Sequence, residues 1–226
     1  HILKTFLKKF LKTFLINYKI EVPFWIKEKI IKQLQTTRIM STKTQISQHS
    51  PRLYTYIIQC DNGGAPCAEN SLWSLAICKP GIRKGARVGD TIVGIGGEAL
   101  KLKTETKQIL FISIVTKVIT MEKYAIDYAN RPDSIYTPDL KLKPNKFHDC
   151  GNIETDLKGK NVVISDNFIY FGNKHISVPH NLQEIIPGRA YKYNPNASFK
   201  PNMASLFNKC KKTIGFGKIG QYNNKK

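Results

Sequence analysis

Paired cysteines are missing from this sequence. Its five cysteines, Cys60, Cys67, Cys78, Cys150 and Cys210, are odd in number. No two stand at the two-residue separation of a zinc ribbon or a thioredoxin-type site, so a reducing, cytoplasmic setting is expected. No run of eighteen uncharged apolar residues occurs, which argues against a membrane span. Lysines interrupt the N-terminal stretch too often for a secretory signal. Acids are scarce, 16 Asp and Glu against 36 Lys and Arg, giving a formal charge of +20. Arginine is scarce as well, 6 residues against 30 lysines, and with 28 Ile and 16 Asn this is the composition an AT-rich genome gives to any protein. That source of lysine tempers what the charge says about partners.

The charge that is present lies mostly in the flanks. Residues 1–51 hold 10 Lys/Arg against 2 acids, residues 52–190 hold 18 against 14, and residues 191–226 hold 8 against none. Basic flanks attract phosphate without reading sequence, so DNA or a nucleotide is the expected partner. A chain of 226 residues supports one well-buried core with appendages. Residues 1–39 read as an amphipathic extension: Leu3, Phe6, Leu7, Phe10, Leu11, Phe14 and Leu15 recur at spacings of three and four, with lysines opposite. Met40 is a candidate start, which would place that extension upstream of it. Residues 40–51, rich in Ser, Thr and Gln, read as a linker, 52–190 as the core domain and 191–226 as a basic flexible tail.

Within the core, RLYTYIIQ reads as a strand closed by the turn DNGGAP, and LWSLAIC from Leu72 as a second apolar run. KPGIRKGARVGD reads as a basic, glycine-rich turn with at most one helical turn, leading to a strand from Thr91. Ile109 to Ile119 is too β-branched for helix, whereas MEKYAIDYA suits one. Residues 130–149 form a long irregular loop, and NVVIS and FIYFG flank Asp166 and Asn167 as a hairpin. Many short strands with few helices predict an α+β fold, a small curved mixed β-sheet or barrel with a few flanking helices.

The segment CKPGIRKGARVGDTIVGIGG, with the upstream Asp61, Gly64, Ala65 and Pro66 and the downstream VVISDNFIYFG, resembles the second type of nucleotide-modification-associated domain. The resemblance covers residues 52–190. It implies a phage, bacterial or large-DNA-virus setting and a part in modifying DNA bases, alongside other base-modification enzymes. A second, fold-level likeness rests on Gly89-Asp90-Thr91-Ile92-Val93-Gly94 alone, which resembles the PUA-like group (ASCH, EVE and YTH domains), small β-barrels that bind RNA or modified bases.

Lys79, Arg83, Lys84 and Arg87 stand close together where a phosphate or other anion would bind, or else form a solvated basic loop. The family pattern Cys-Lys-Pro-x-Ile-Arg favours function for Lys79 and Arg83. Asp90 is assigned to the turn. Asp61 either faces a cleft or caps its turn; the resemblance makes it a candidate catalytic carboxylate. His148 is the candidate proton carrier. Its neighbour Asp149 points the other way on an extended chain and should not pair with it. Phe168 and Tyr170 share one strand face and either stack a base or fill the core.

No dinucleotide fingerprint, Walker sequence or nucleophile-elbow motif is present. His175 and His180 are poorly spaced for a metal, and no cofactor or metal is implied. Two functions remain open: an enzyme or enzyme accessory that alters a nucleotide, in which Asp61 or His148 moves a proton beside Lys79 and Arg83, and a PUA-like module that reads a modified base without catalysis. The first expects polar groups converging in a cleft, the second an aromatic cage.

Overall fold

The structure, a computed structural model, describes residues 50–102, 104–188, 191–194 and 200–224. The extension expected over 1–39 and nearly all of the linker expected over 40–51 lie outside them. Eleven strands among the described residues form two sheets. The larger, mixed sheet runs β10 (Tyr191–Asn194), β1 (Leu53–Ile58), β4 (Thr91–Gly96), β5 (Gln108–Ile114), β8 (Asn167–Tyr170), β11 (Gly217–Lys218), with β9 (Ile176–Ser177) also on β5. Its β1–β4 and β8–β11 pairs are parallel. The smaller, antiparallel sheet runs β2 (Cys67–Glu69), β3 (Leu72–Leu75), β7 (Asn161–Ser165), β6 (Lys117–Thr120). Four α-helices, α1 (Pro80–Gly85), α2 (Met121–Asp127), α3 (Ile153–Leu157) and α4 (Lys200–Thr213), and four short 3-10 helices complete the described part.

Strand alternation explains the layers. Tyr54, Tyr56 and Ile58 of β1, Ile92 of β4 and Phe168 and Tyr170 of β8 point inward and share one core with Trp73 and Leu75 of β3 and Val163 of β7. The opposite face of the larger sheet carries Leu53, Val93, Ile95, Ile112 and Ile169, which pack under Leu182, Ile185 and the α4 residues Met203, Phe207 and Cys210. A sheet buried on both faces reads as near-continuous apolar sequence, which is why LYTYII, TIVGIG and QILFISI lack polar alternation. The outer face of the smaller sheet is covered by α2 and the 130–147 segment, with Tyr124, Ile135 and Tyr136 against Val162 and Ile164.

The α+β expectation therefore holds, but the sheet is not single, and among the described residues it closes into no barrel. The apolar stretch from Ile109 to Ile119 serves both sheets, as β5 in one and β6 in the other. NVVIS and FIYFG do not form the expected hairpin: β7 pairs β3 and β6, while β8 pairs β5 and β11. The two chain segments cross between sheets side by side. Thr116 N donates to Ile164 O (3.0 Å), Ser165 Oγ to Ile114 O (2.6 Å) and Asp166 N to Thr116 Oγ1 (3.2 Å). Asp166 and Asn167 carry turn chemistry because the chain changes layers there.

The lysine-rich end contributes to the cores on both faces of the larger sheet. Helix α4 buries Met203 and Phe207, side chains of a size worth about 1.5–3 kcal/mol each over exposure. Beyond it Tyr222 enters the central core and its hydroxyl pairs with both the N–H (2.8 Å) and the carbonyl (3.1 Å) of Ala68.

Candidate active site

Between β3 and α1 the chain turns sharply, and the residue at the bend is Cys78. Its φ is 56°, and Lys79 after it has φ 43° and ψ 49°. Two successive non-glycine residues in the left-handed region cost on the order of 1–2 kcal/mol each, so the surrounding contacts must hold the bend. Arg83 does so. Its guanidinium, fully buried, donates Nε to Cys78 O (2.8 Å) and its terminal nitrogens to the carbonyls of Ala76 and Asp156. A side chain at Gly159 would occupy the place of that guanidinium. Burial lowers the Arg83 pKa, partly offset by the nearby Asp156 charge.

The long loop delivers the second group. Asn145 Oδ1 accepts from the backbone N–H of both Phe147 (2.8 Å) and His148 (2.9 Å), a local turn that presents the imidazole. His148 Nε2 lies 3.1 Å from Cys78 Sγ, and His148 Nδ1 lies 2.6 Å from Asp156 Oδ2. Asp156, from α3, is buried. Its other oxygen accepts the Cys78 N–H at 2.7 Å, and Tyr136 OH donates to Oδ2 at 2.9 Å. The hydrogen bonds to Asp156 and to Cys78 raise the His148 pKa to about 10. Burial alone would raise the Asp156 pKa, but the bonds from His148, the Cys78 amide and Tyr136 outweigh it and hold the carboxyl below its usual value. The raised pKa favours the charged ring, whose two nitrogens face a carboxylate oxygen and the sulfur.

This cluster opens on a cavity of about 210 Å³, lined by Cys78, His148, Lys79, Tyr56, Phe147 and residues of the turn after β1 that include Asn62 and Gly64. The Lys79 ammonium sits 4.8 Å from the Tyr56 ring centroid and donates to Ile57 O (3.3 Å); burial lowers its pKa. The Tyr56 hydroxyl is buried and has no hydrogen-bond partner among the described residues.

Of the residues singled out from sequence, Lys79 and His148 meet in this cavity and the others do not. Asp61 is buried and fastens the C-terminal segment: its carboxylate accepts from Tyr170 OH and from Asn223 N (3.0 Å) and Nδ2 (2.7 Å). Phe168 and Tyr170 are fully buried in the core, so neither ring is open to a base. Arg83 has turned from anion binder to brace. Lys84 and Arg87 are exposed on and after α1, outside the cavity lining. Asp90 is the turn residue expected, and it also joins the starts of β1 and β4 by accepting from Arg52 N (2.8 Å), from Arg52 Nη2 (2.7 Å) and from Arg87 N (2.8 Å). Asp149 diverges from His148 and caps the turn Cys150–Asn152.

Cys78, Asp156 and Tyr136 were missed. Cys78 heads the Cys-Lys-Pro-x-Ile-Arg pattern, so the signal was a thiol beside two valued residues; no glycine-flanked elbow motif announced it. Asp156 stands eight residues past His148, a spacing with no local rule behind it. Cys78, His148 and Asp156 also bring a sulfur, a ring nitrogen and a carboxylate oxygen within 4.8 Å of one another, a donor set suited to a thiophilic ion. The imidazole, however, lies between the other two with each nitrogen engaged by one of them, which is the arrangement of a proton relay.

A family model described as nucleotide modification associated domain 2 matches residues 50–224. No curated protein and no solved structure matches the chain.

Proposed function

The chain belongs to the nucleotide modification associated domain 2 family, and from that premise we propose that it is a thiol-dependent enzyme performing acyl transfer or hydrolysis at a carbonyl carried by a nucleotide. The observation that carries this reading is the continuous line Cys78 Sγ, His148, Asp156 at 3.1 and 2.6 Å, opening on a cavity. Nucleophile, base and orienting carboxylate in hydrogen-bond sequence are the parts of covalent acyl transfer. The Cys78 sulfur attacks the carbonyl carbon and forms a C–S bond. His148 gives its Nε2 proton to the departing nitrogen or oxygen, leaving a thioester. Water or a second nucleophile then loses a proton to His148 as it displaces the sulfur. Asp156 holds the ring and its charge throughout. Lys79 and the Tyr56 hydroxyl, the cation and the unpartnered donor of the cavity wall, favour the oxygen that becomes negative in the tetrahedral state.

A non-catalytic reader would face its base with an aromatic cage, and the residues expected to build one, Phe168 and Tyr170, lie in the core. The cavity sets a thiol, an imidazole and an ammonium beside the rings of Tyr56 and Phe147. The basic flanks support DNA as the source of that nucleotide.

Iodoacetamide labelling followed by peptide mapping tests the reading. Cys78 should be alkylated well before the exposed Cys60 and Cys150 at pH 7, because an imidazole stands 3.1 Å from its sulfur and serves as proton acceptor. His148→Gln should slow that reaction by about 10²-fold, the scale of a positioned base. Labelling of all three at one rate, unchanged in the variant, removes the relay. Zinc bound one-to-one by the untreated chain, with protection of Cys78 from alkylation, assigns the three residues to a metal instead.

A further inference from the structure

Beside the cavity, the edge of the larger sheet carries a feature the relay does not use. Alternation along β10 places Tyr191 and Tyr193 on one face and Lys192 on the other, where its ammonium meets Glu184 O. Tyr193 is the Cα partner of Tyr54, and their rings lie 5.0 Å apart; Tyr191 lies 6.3 Å from Tyr54. That face is the inner one, but here α1 covers it: the Tyr191 ring packs on Gly81 so closely that a Cβ there would stand 2.7 Å from it, and the Tyr54 hydroxyl would stand 3.1 Å from a Cβ at Gly85. The cover is partial. Tyr191 is left 39 % and Tyr193 43 % exposed, while Tyr54 is buried.

The surroundings are cationic. Arg52 lies 5.6 Å from the ring centroids of Tyr54 and Tyr193, held there by Asp90. Lys84 and Arg87 are exposed, and neither α1 (PGIRKG) nor β10 (YKYN) contains an acid. Two half-exposed rings on one strand, backed by a fixed guanidinium and flanked by basic side chains, combine a π-surface with phosphate attraction, the two parts that bind single strands without reading sequence. Buried core tyrosines such as Tyr56 and Tyr170 lack that exposure.

We propose that the Tyr191–Tyr193 face is a stacking platform for a single-stranded nucleic acid, with bases on the two rings and backbone phosphates against Lys84 and Arg87. Helix α1 begins two residues after Cys78 and is six residues long, about 9 Å, so platform and cavity are joined by one short rigid element. A strand held on the platform presents a neighbouring nucleotide to Cys78. The inference deepens the preceding reading, on which it rests for the role of the cavity, by making the substrate a nucleotide within a strand.

The test uses the full chain carrying Cys78→Ala and measures anisotropy of labelled oligo-dT, oligo-rU and a duplex of equal length over a salt series. Tyr191→Leu with Tyr193→Leu should weaken both single strands about tenfold or more, leaving the salt slope and duplex binding near their starting values. Lys84→Ala with Arg87→Ala should flatten the single-strand salt slope by about 1.4, two phosphates' worth. The tighter of oligo-dT and oligo-rU identifies the strand. Unchanged single-strand affinity in the leucine pair, or an equal loss for duplex, overturns the platform. Photocrosslinking of a 5-iodouridine oligonucleotide to the unmutated chain decides the matter apart from any folding defect: adducts on Tyr191 or Tyr193 support it, and adducts confined to the residues 1–51 or 200–226 overturn it. Cys78 alkylation is read without nucleic acid, so failure of the platform and failure of the relay are separate results.

Discussion

Two buried polar clusters flank the smaller sheet, built from the same kinds of part. In one, Arg83 grips three backbone carbonyls and Asp156 accepts from Tyr136; in the other, Arg131 donates to the carbonyls of Cys67 (3.0 Å), Glu69 (2.9 Å) and Leu72 (3.3 Å), and Asp133 accepts from Tyr124 (2.8 Å). The difference is in what completes them. Asp133 takes a Ser74 hydroxyl at 2.5 Å and the Arg131 charge at 3.4 Å, so all members of that cluster are matched within the fold. Asp156 instead meets an imidazole that leads to a thiol and a cavity. A buried Arg–Asp–Tyr network is thus no sign of chemistry by itself. The sign is a titratable chain that runs from the network to open space.

That contrast breaks first at Arg131. Removing it leaves a buried carboxylate without its cation and takes one donor from each of three carbonyls, so Arg131→Ala should cost about 3–5 kcal/mol. Urea unfolding measures it. A loss under about 1 kcal/mol would mean that Asp133 takes up a proton at little cost and that the cluster is not the closed structural unit described.

Arg83→Ala comes next, at about 2–4 kcal/mol, because it strips a donor from three backbone carbonyls but leaves no carboxylate without its only cation. It should also slow Cys78 alkylation, since the left-handed bend at Cys78 and Lys79 loses its brace. Stability lost with reactivity intact would separate the bend from the relay.

These two arginines show what sequence made legible. The strands from Leu53, Leu72 and Thr91 were readable because a run of β-branched and aromatic residues between turn signals has few other forms. The family was readable from residues scattered along the core. Arg83 was misread, because a guanidinium five residues from a cysteine in a basic loop looks solvated until the loop folds back on its own carbonyls. The Asp166–Asn167 hairpin failed for a similar reason: turn chemistry reports a change of direction, and a crossing between layers needs one as much as a hairpin does. Met203, Phe207 and Cys210, spaced four and three apart, did signal a helix with one buried stripe, and the surrounding lysines obscured it. The relay stayed hidden because its members come from a bend, a loop and a helix, and only the closed fold makes them neighbours.

The relay also sharpens the comparison through pH. The His148 pKa rises from its ordinary 6.5 to about 10 in the folded chain. A group raised on folding contributes stability that is fully present below its unfolded value and is lost as pH climbs through the folded one. Wild-type chain should therefore lose stability between pH 6.5 and 10 beyond what His148→Gln loses. Denaturant midpoints of both chains at about pH 6, 8 and 10 measure the difference. Parallel curves would show that His148 is neutral in the fold, and the sulfur would then be the donor to its ring.

The smallest effect expected is at Lys84, next in sequence to Arg83 and equal to it in charge. Arg83 points inward from α1 and is fully buried, whereas Lys84 faces solvent and makes none of the bonds that fix the bend. In a six-residue helix held by Ile82 and Ala86 in the central core, an exposed lysine replaced by alanine changes little packing, and alanine is the better helix former. Lys84→Ala should stay within about 0.5 kcal/mol of wild type and leave the rate of Cys78 alkylation unchanged. Its one expected loss is a shallower salt dependence of strand binding. Urea midpoints and labelling rates of the adjacent alanine variants, measured side by side, would then differ by most of the Arg83 effect. Equal midpoints would place both side chains in solvent and leave the bend at Cys78 without a cause.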